Sequence, residues 1–195
     1  MLTGKWAVSN PTKYKKFGPM GLGHIQTSSG NLVYNVPYAN TAYPPKRMPG
    51  SIIREEGGKR VIADVLALDN TDTAYKDDPH NVDKTGSAIV QGNFFANDKE
   101  SEHFAIGAPK ANKLTGRVYV CYKCFYPKAQ RNDGDKGNPS FQVELESSQK
   151  QTGERFGAAV AAVDVDGDGI DELVIGAPLY SSKVSIEIII FGPNH

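Results

Sequence analysis

Acidic side chains recur at short, regular intervals near the end of this 195-residue chain. They occupy positions 1, 3, 5 and 9 of a single loop, and they are Asp164, Asp166, Asp168 and Glu172. Gly167 and Gly169 allow the backbone to curl, so that alternate side chains can turn toward one point. Carboxylates this close repel one another unless a hard cation neutralises them. The loop is therefore predicted to bind Ca²⁺ through these four carboxylates and the backbone carbonyl of Ile170.

The elements around the loop distinguish it from a helical calcium motif. An EF-hand loop requires a bidentate Glu at position 12, and that position is occupied here by the apolar Ile175. The flanking segments 158–163 and 173–175 are short apolar runs bounded by Gly and Pro, which is typical of buried strands. The metal loop is thus predicted to join two strands of a β-hairpin. A plain Asp-Gly turn that only starts a hairpin is the alternative interpretation.

The frame around the loop occurs twice, which indicates an architecture built from repeats. In the first copy, Gly86–Val90 leads to Gly107-Ala108-Pro109 and then to an alternating strand at 116–120. In the second, Gly157–Val160 leads to Gly176-Ala177-Pro178 and then to a strand at 184–190, with the two Gly-Ala-Pro triplets 69 residues apart. A weaker third copy is expected at Gly4–Pro11. Short strands repeating at this period predict a propeller or a similar β array.

The Phe-Gly opening, the acidic loop and the Gly-Ala-Pro closure together resemble the FG-GAP repeat of integrin α subunits. The resemblance covers residues 75–191 and implies an all-β fold, a partial seven-bladed β-propeller of about two to three blades that is unclosed. It divides the chain into three units. They are a degenerate blade at 1–75 with a long Pro/Tyr/Arg connection, a calcium-free FG-GAP blade at 76–147 and a truncated calcium-bearing blade at 148–195. The family usually has Asp at loop position 9, where this chain has Glu172.

The resemblance implies a cell-adhesion receptor subunit that pairs with an integrin β subunit and binds extracellular matrix or cell-surface protein ligands. The full-length parent is expected at the plasma membrane with this part outside the cell. Neither a signal peptide nor an apolar run of about 18–20 residues is recognisable in the sequence, so part of a longer chain is expected. An accessory propeller of a non-integrin FG-GAP protein, such as a phospholipase D-type enzyme, is the alternative.

Composition and motifs argue against two further classes of function, nucleic-acid binding and catalysis. With 22 basic and 22 acidic residues the net charge is zero, and no nucleic-acid partner is expected. The small basic cluster Lys13, Lys15 and Lys16 is interpreted as a solvated loop. The sequence contains no nucleophile elbow, phosphate loop or metalloprotease motif, and the chain is not expected to be an enzyme.

Three further segments have structural interpretations. Cys121 and Cys124 form a single C-x-x-C pair, interpreted as a strand-end pair that is bridged in a secreted protein and free otherwise. The bridged form is favoured, and it requires a strand to end between the two residues. Tyr34–Gly58 is rich in Pro, Tyr and Arg and is interpreted as a long connection between blades. The resemblance to integrin α subunits implies that this connection is part of a cap that contacts partners; a loop without a partner is the alternative. The loop at 93–102 contains Asn and acidic residues without the 1, 3, 5, 9 spacing, and no metal is assigned there.

Overall fold

The computed structural model describes residues 23–37, 50–62, 85–96, 102–122, 124–125, 141–179 and 185–189. Within these ranges the chain forms three antiparallel sheets in which each strand pairs with its neighbours in sequence. One helical turn, α1 (Ala111–Leu114), is the exception to the β structure. The all-β prediction is confirmed. Among the described residues the sheets follow one another without closing into a ring.

The strands of the described residues form two sheets of four strands and one of three. The first sheet contains β1 (His24–Gln26), β2 (Leu32–Val36), β3 (Ser51–Glu56) and β4 (Lys59–Ile62). The second sheet contains β5 (Ala88–Gly92), β6 (His103–Ala108), β7 (Arg117–Tyr122) and β8 (Phe141–Leu145). The third sheet contains β9 (Ala159–Val163), β10 (Glu172–Ala177) and β11 (Ser185–Ile189).

The interpretation of Tyr34–Gly58 as a connection between blades is wrong. Its first residues belong to β2 and residues 51–56 form β3, and these strands pair in one sheet with Val36 opposite Ser51. The segment therefore contributes two neighbouring strands to a single sheet. Residues 32–35 alternate between half-buried and buried side chains, a strand pattern that the neighbouring Pro and Tyr residues obscured in the sequence.

Two clusters of buried apolar side chains join the sheets in pairs. In one cluster, Val33 and Ile52 of the first sheet pack with residues of the second, among them Phe104. In the other, Phe94 and Val118 of the second sheet pack with residues of the third; the third-sheet members are Phe156, Leu173, Ile175 and Ala177. The core therefore lies between the sheets, and each sheet is stabilised by its neighbour rather than alone.

Main-chain contacts repeat at both junctions between sheets. Gly50 forms a parallel bridge with Thr85, and Gly116 forms the same bridge with Phe156. A Cβ atom at Gly50 or at Gly116 would lie about 2 Å from the carbonyl oxygen of its bridge partner, 2.2 and 2.1 Å respectively. Both glycines also have positive φ, +82° and +91°. Glycine is therefore required at both junctions by backbone conformation and by close approach.

The Cys121–Cys124 pair forms a disulfide with the two Cα atoms 5.8 Å apart. Strand β7 ends at Tyr122, between the two cysteines, as the expected bridge requires. Both cysteines are buried, and Phe125, the next residue, packs edge-on against Phe104 at 5.5 Å between ring centroids. The bridge thus fixes the end of β7 inside the cluster between the first and second sheets.

Several predicted features lie outside the described residues. They are the possible repeat at Gly4–Pro11 and the basic cluster at Lys13, Lys15 and Lys16. In the ranges that are described, no helix has both the length and the apolar character of a membrane span.

Candidate metal centre

The acidic loop joins β9 to β10 in a hairpin. Glu172 pairs with Val163, and this is the pair of the ladder that lies next to the loop. Residues 164–171 therefore form the loop itself. Both predicted strands are therefore confirmed, and the loop is not part of a helix. This pairing places Glu172, at position 9 of the loop, opposite Val163, which directly precedes Asp164.

Backbone amides of the loop donate hydrogen bonds to its own carboxylates. Asp164 accepts from Gly167 at 2.7 Å and from Gly169 at 3.0 Å, one bond to each oxygen. Asp166 Oδ1 accepts from the amide of Asp168, and Asp168 Oδ1 accepts from the amide of Ile170. The curl that the glycines permit, with φ of +79° at Gly167 and +86° at Gly169, is thus held by charge-assisted hydrogen bonds.

Three of the four predicted carboxylates converge. One oxygen each from Asp164, Asp166 and Glu172 lies within 4.8 Å of the other two. The carboxylate of Asp168 is not in this group. Ile170, whose carbonyl is the fifth predicted ligand, is buried with 5% of its surface exposed.

Glu172 differs from the other two converging acids because it is buried, with only 3% of its surface exposed. Its Oε2 accepts a hydrogen bond from the amide of Val165 at 2.6 Å. Its Oε1 is buried and has no hydrogen-bond partner among the described residues. A buried carboxylate oxygen without a partner is costly, and two further acids next to it increase the cost.

A calcium ion would account for this arrangement. Calcium lies 2.3–2.6 Å from its oxygen ligands, so two ligands on opposite sides of one ion are up to about 5 Å apart. The 4.8 Å limit on the three oxygens is consistent with that span. All the donors are hard oxygens, the set that calcium prefers over zinc or copper. The donors that are present therefore fit calcium.

The second sheet carries the equivalent loop in a different form. Gly86 and Gly157 lie 71 residues apart, and the same offset relates Phe94 to Val165. The amide of Phe94 donates to Nδ1 of His103 at 3.2 Å, as the amide of Val165 donates to Glu172. His103 thus has the structural position of Glu172 but supplies no carboxylate.

A contact between the two sheets was not anticipated from the sequence. Asn93, in the second sheet's loop, donates from its backbone amide to Asp171 Oδ2 at 2.6 Å. The amide of Asp171 donates back to the carbonyl of Asn93 at 2.8 Å. The side-chain amide of Asn93 also donates to the carbonyl of Gly169. The offset of 71 places Asn93 at the position of Asp164, but it does not by itself indicate a partner for Asn93.

The preceding junction has a related contact. Glu102, immediately before β6, is equivalent to Asp171, immediately before β10, because both precede a Gly-Ala-Pro triplet by the same interval. Glu102 accepts from Arg54 of the first sheet at 3.2 Å and from the hydroxyl of Ser29. Arg54 also lies over the ring of Phe125, 5.0 Å from its centroid. At both junctions an acid before the second strand of a sheet therefore contacts the preceding sheet.

Comparisons with known proteins agree with this architecture. Residues 156–186 match the family model described as FG-GAP repeat. The chain is 36% identical to Integrin alpha-PS2 of Drosophila melanogaster over 102 residues, which are 52% of this chain and 6% of that protein. It is 30% identical to Integrin alpha-4 of Xenopus laevis over 103 residues, 49% of this chain and 9% of that protein.

Integrin alpha-5 of Xenopus laevis is similar over 98 residues at 28% identity, covering half of this chain and 8% of that protein. The chain therefore spans less than a tenth of the length of these curated relatives. The FG-GAP match covers β9, β10 and the loop between them, together with the start of β11. The fold is thus part of an FG-GAP β-propeller, and the chain is integrin α-like over about half of its length.

Proposed function

We propose that this chain is part of a cell-adhesion receptor subunit that acts as a heterodimer with an integrin β subunit. It would lie on the extracellular side of the plasma membrane and bind extracellular matrix or cell-surface protein ligands, without catalysis. The similarity to three integrin α proteins supports this proposal. The repeats would correspond to three blades, with boundaries at 1–75, 76–147 and 148–195.

We further propose that the third sheet holds one structural Ca²⁺. Its ligands would be the carboxylates of four acids and one backbone carbonyl, from Asp164, Asp166, Asp168, Glu172 and Ile170. The observation that carries this proposal is the buried Oε1 of Glu172, which has no hydrogen-bond partner in the described residues and lies beside two converging carboxylates. The carboxylate of Asp168 is not among the three that converge, so its inclusion requires its side chain to rotate toward them.

The role of the ion would be mechanical. Bound calcium neutralises the converging acids and cross-links the ends of β9 and β10. Extracellular modules bind calcium with dissociation constants of about 0.1–1 mM, so about 1 mM free calcium would stabilise the folded chain by about 0.4–1.4 kcal/mol. A contribution of this size is modest for a domain but large for one hairpin.

Calcium titration of the full 195-residue chain tests the site. Calorimetry is expected to show one site in the wild type, and a tenfold or greater loss of affinity in Asp166→Ala and in Glu172→Gln. Glu172→Gln is nearly isosteric and keeps an acceptor for Val165, so it removes charge with little change in packing. Glu144→Gln, on β8, is the control for the loss of one carboxylate elsewhere. Wild-type affinity in both loop variants would exclude these ligands.

A chimaera tests the adhesion role separately. The chain would replace the aligned segment of Integrin alpha-PS2, and surface delivery together with a coexpressed β subunit would be measured by flow cytometry. Delivery comparable to that of the parent, with coprecipitation of the β subunit, is the expected result. Retention inside the cell of a chimaera whose calcium binding is intact would contradict the receptor assignment without affecting the metal site.

A further inference from the structure

We propose that the metal loop of the third sheet is positioned by the second sheet. Asn93 and Asp171 form an inter-sheet clasp that fixes the segment around Ile170, so that calcium binding and docking of the two sheets strengthen each other. The inference rests on the calcium site proposed above and adds two residues that are not ligands. It also makes the site depend on two neighbouring repeats rather than on one hairpin.

The clasp holds both sides of a proposed ligand. The side-chain amide of Asn93 binds the carbonyl of Gly169, which precedes Ile170. The reciprocal backbone contacts of Asn93 hold Asp171, which follows Ile170. With both neighbouring peptide units tied to the second sheet, the direction of the Ile170 carbonyl is restricted before an ion arrives. Preorganisation of this kind raises affinity because less conformational freedom is lost on binding.

The residues on both sides of Asn93 are packed against the third sheet. It lies between Gly92, the last residue of β5, and Phe94, which is 1% exposed in the core shared by the two sheets. A Cβ atom at Gly92 would come within 2.8 Å of Cβ of Ala162 on β9. The backbone of the second sheet thus already touches the third sheet one residue before the clasp begins. A shift of the sheets would displace the clasp, and the loop would follow.

Equivalent positions in the two repeats thus have different roles. By the offset of 71, Asn93 corresponds to Asp164, the first residue of the metal loop. In the third sheet this position supplies a converging carboxylate, and in the second it supplies an amide that contacts the neighbouring loop. Asp171 is likewise an acid of the loop whose Oδ2 accepts from the second sheet, and it is not among the three converging acids.

Calcium titration of full-chain variants tests the clasp. Asn93→Ala changes no charge and no proposed ligand, and it is expected to weaken calcium binding about fivefold, as for one hydrogen bond of about 1 kcal/mol. The matched control is Gln91→Ala, because Gln91 makes side-chain amide contacts with Ser28 at the other junction. Gln91→Ala is expected to bind calcium as the wild type does.

Variants at Asp171 separate the clasp from simple charge. Asp171→Ala removes both the charge and the acceptor for Asn93, whereas Asp171→Asn keeps an acceptor oxygen. The clasp predicts that Asp171→Asn binds at least threefold more tightly than Asp171→Ala. If the two variants lose affinity equally, the negative charge rather than the contact determines binding, and the clasp proposal is overturned.

Hydrogen exchange gives a readout that does not depend on affinity. Because calcium binding and clasp formation stabilise each other by the same factor, calcium is expected to slow exchange of the Asn93 amide about fivefold in the wild type. In Asp171→Ala calcium is expected to have no such effect. Normal calcium binding with unchanged exchange at Asn93, or with unchanged affinity in Asn93→Ala, would overturn the clasp and leave the calcium site intact. Absence of calcium binding by the wild type would instead overturn the proposed site, and the clasp proposal with it.

Discussion

Substitution of Gly107 by Ala tests the junction between the second and third sheets most directly. A Cβ atom at this residue would lie 2.0 Å from the carbonyl oxygen of Gly157 and 3.0 Å from its carbonyl carbon. Both atoms are backbone, so no side-chain rotation can relieve the clash. The sheets would have to separate by roughly 1 Å, and a gap of that size forfeits up to half of each dispersion contact in the shared core. Overpacking costs about 1–3 kcal/mol, and we expect the upper end, about 3 kcal/mol.

Gly176 provides the matched control for this substitution. It holds the same place in the second Gly-Ala-Pro triplet, yet its added Cβ would meet Cβ of Ala159 at 3.4 Å, an ordinary contact. Gly176→Ala is therefore expected to change the free energy of unfolding by less than about 1 kcal/mol.

Urea unfolding followed by circular dichroism measures both variants. With a slope of about 1–3 kcal/mol per molar urea, Gly107→Ala should lower the midpoint by about 1–3 M, and Gly176→Ala should leave it within about 1 M. Equal midpoints for the two variants would refute the close approach of Gly107 to Gly157. Such a result would also remove the reason for glycine at this position of the repeat.

Two further perturbations act elsewhere in the second sheet. The Cys121–Cys124 bridge closes a loop of about four residues, and its reduction is expected to lower the free energy of unfolding by about 2 kcal/mol. Dithiothreitol should therefore lower the Tm of the wild type, and it should have no such effect on Cys124→Ser. A hydrogen bond from Lys150 and the neighbouring charge of Arg117 hold the pKa of Glu146 below its usual value of 4.5. That contribution to stability is present above pH 4.5 and is lost as the pH falls below it. Glu146→Gln should therefore make Tm less dependent on pH in the acid range, and a pH profile of Tm equal to that of the wild type would contradict this role of Glu146.

Much of the third sheet could be predicted from the sequence. The apolar runs on both sides of the acidic loop were short and bounded by Gly and Pro, and they form β9 and β10. The repeat spacing similarly located β6 and β7 in the second sheet. These predictions succeeded because they depend on local periodicity and on glycine positions, which the sequence states directly.

The contacts between sheets could not be predicted in the same way. Arg54 and Glu102 are 48 residues apart, and Asn93 and Asp171 are 78 apart. No local pattern links such residues, because their partners are chosen by the register of one sheet against the next. The first sheet was partly missed for a different reason. The Pro and Tyr residues at 37–49 indicated a connection between blades, although both ends of the segment, Tyr34–Val36 and Ser51–Glu56, are strands.

At Gly50, Gly107 and Gly116 the sheets meet through backbone atoms, so a side chain at any of these positions would clash with a carbonyl oxygen of the neighbouring sheet. The first sheet has little sequence likeness to the other two, yet its Gly50 meets the second sheet as Gly116 meets the third. Sheets of unlike sequence can thus meet through the same backbone contact, provided that glycine is kept at this position.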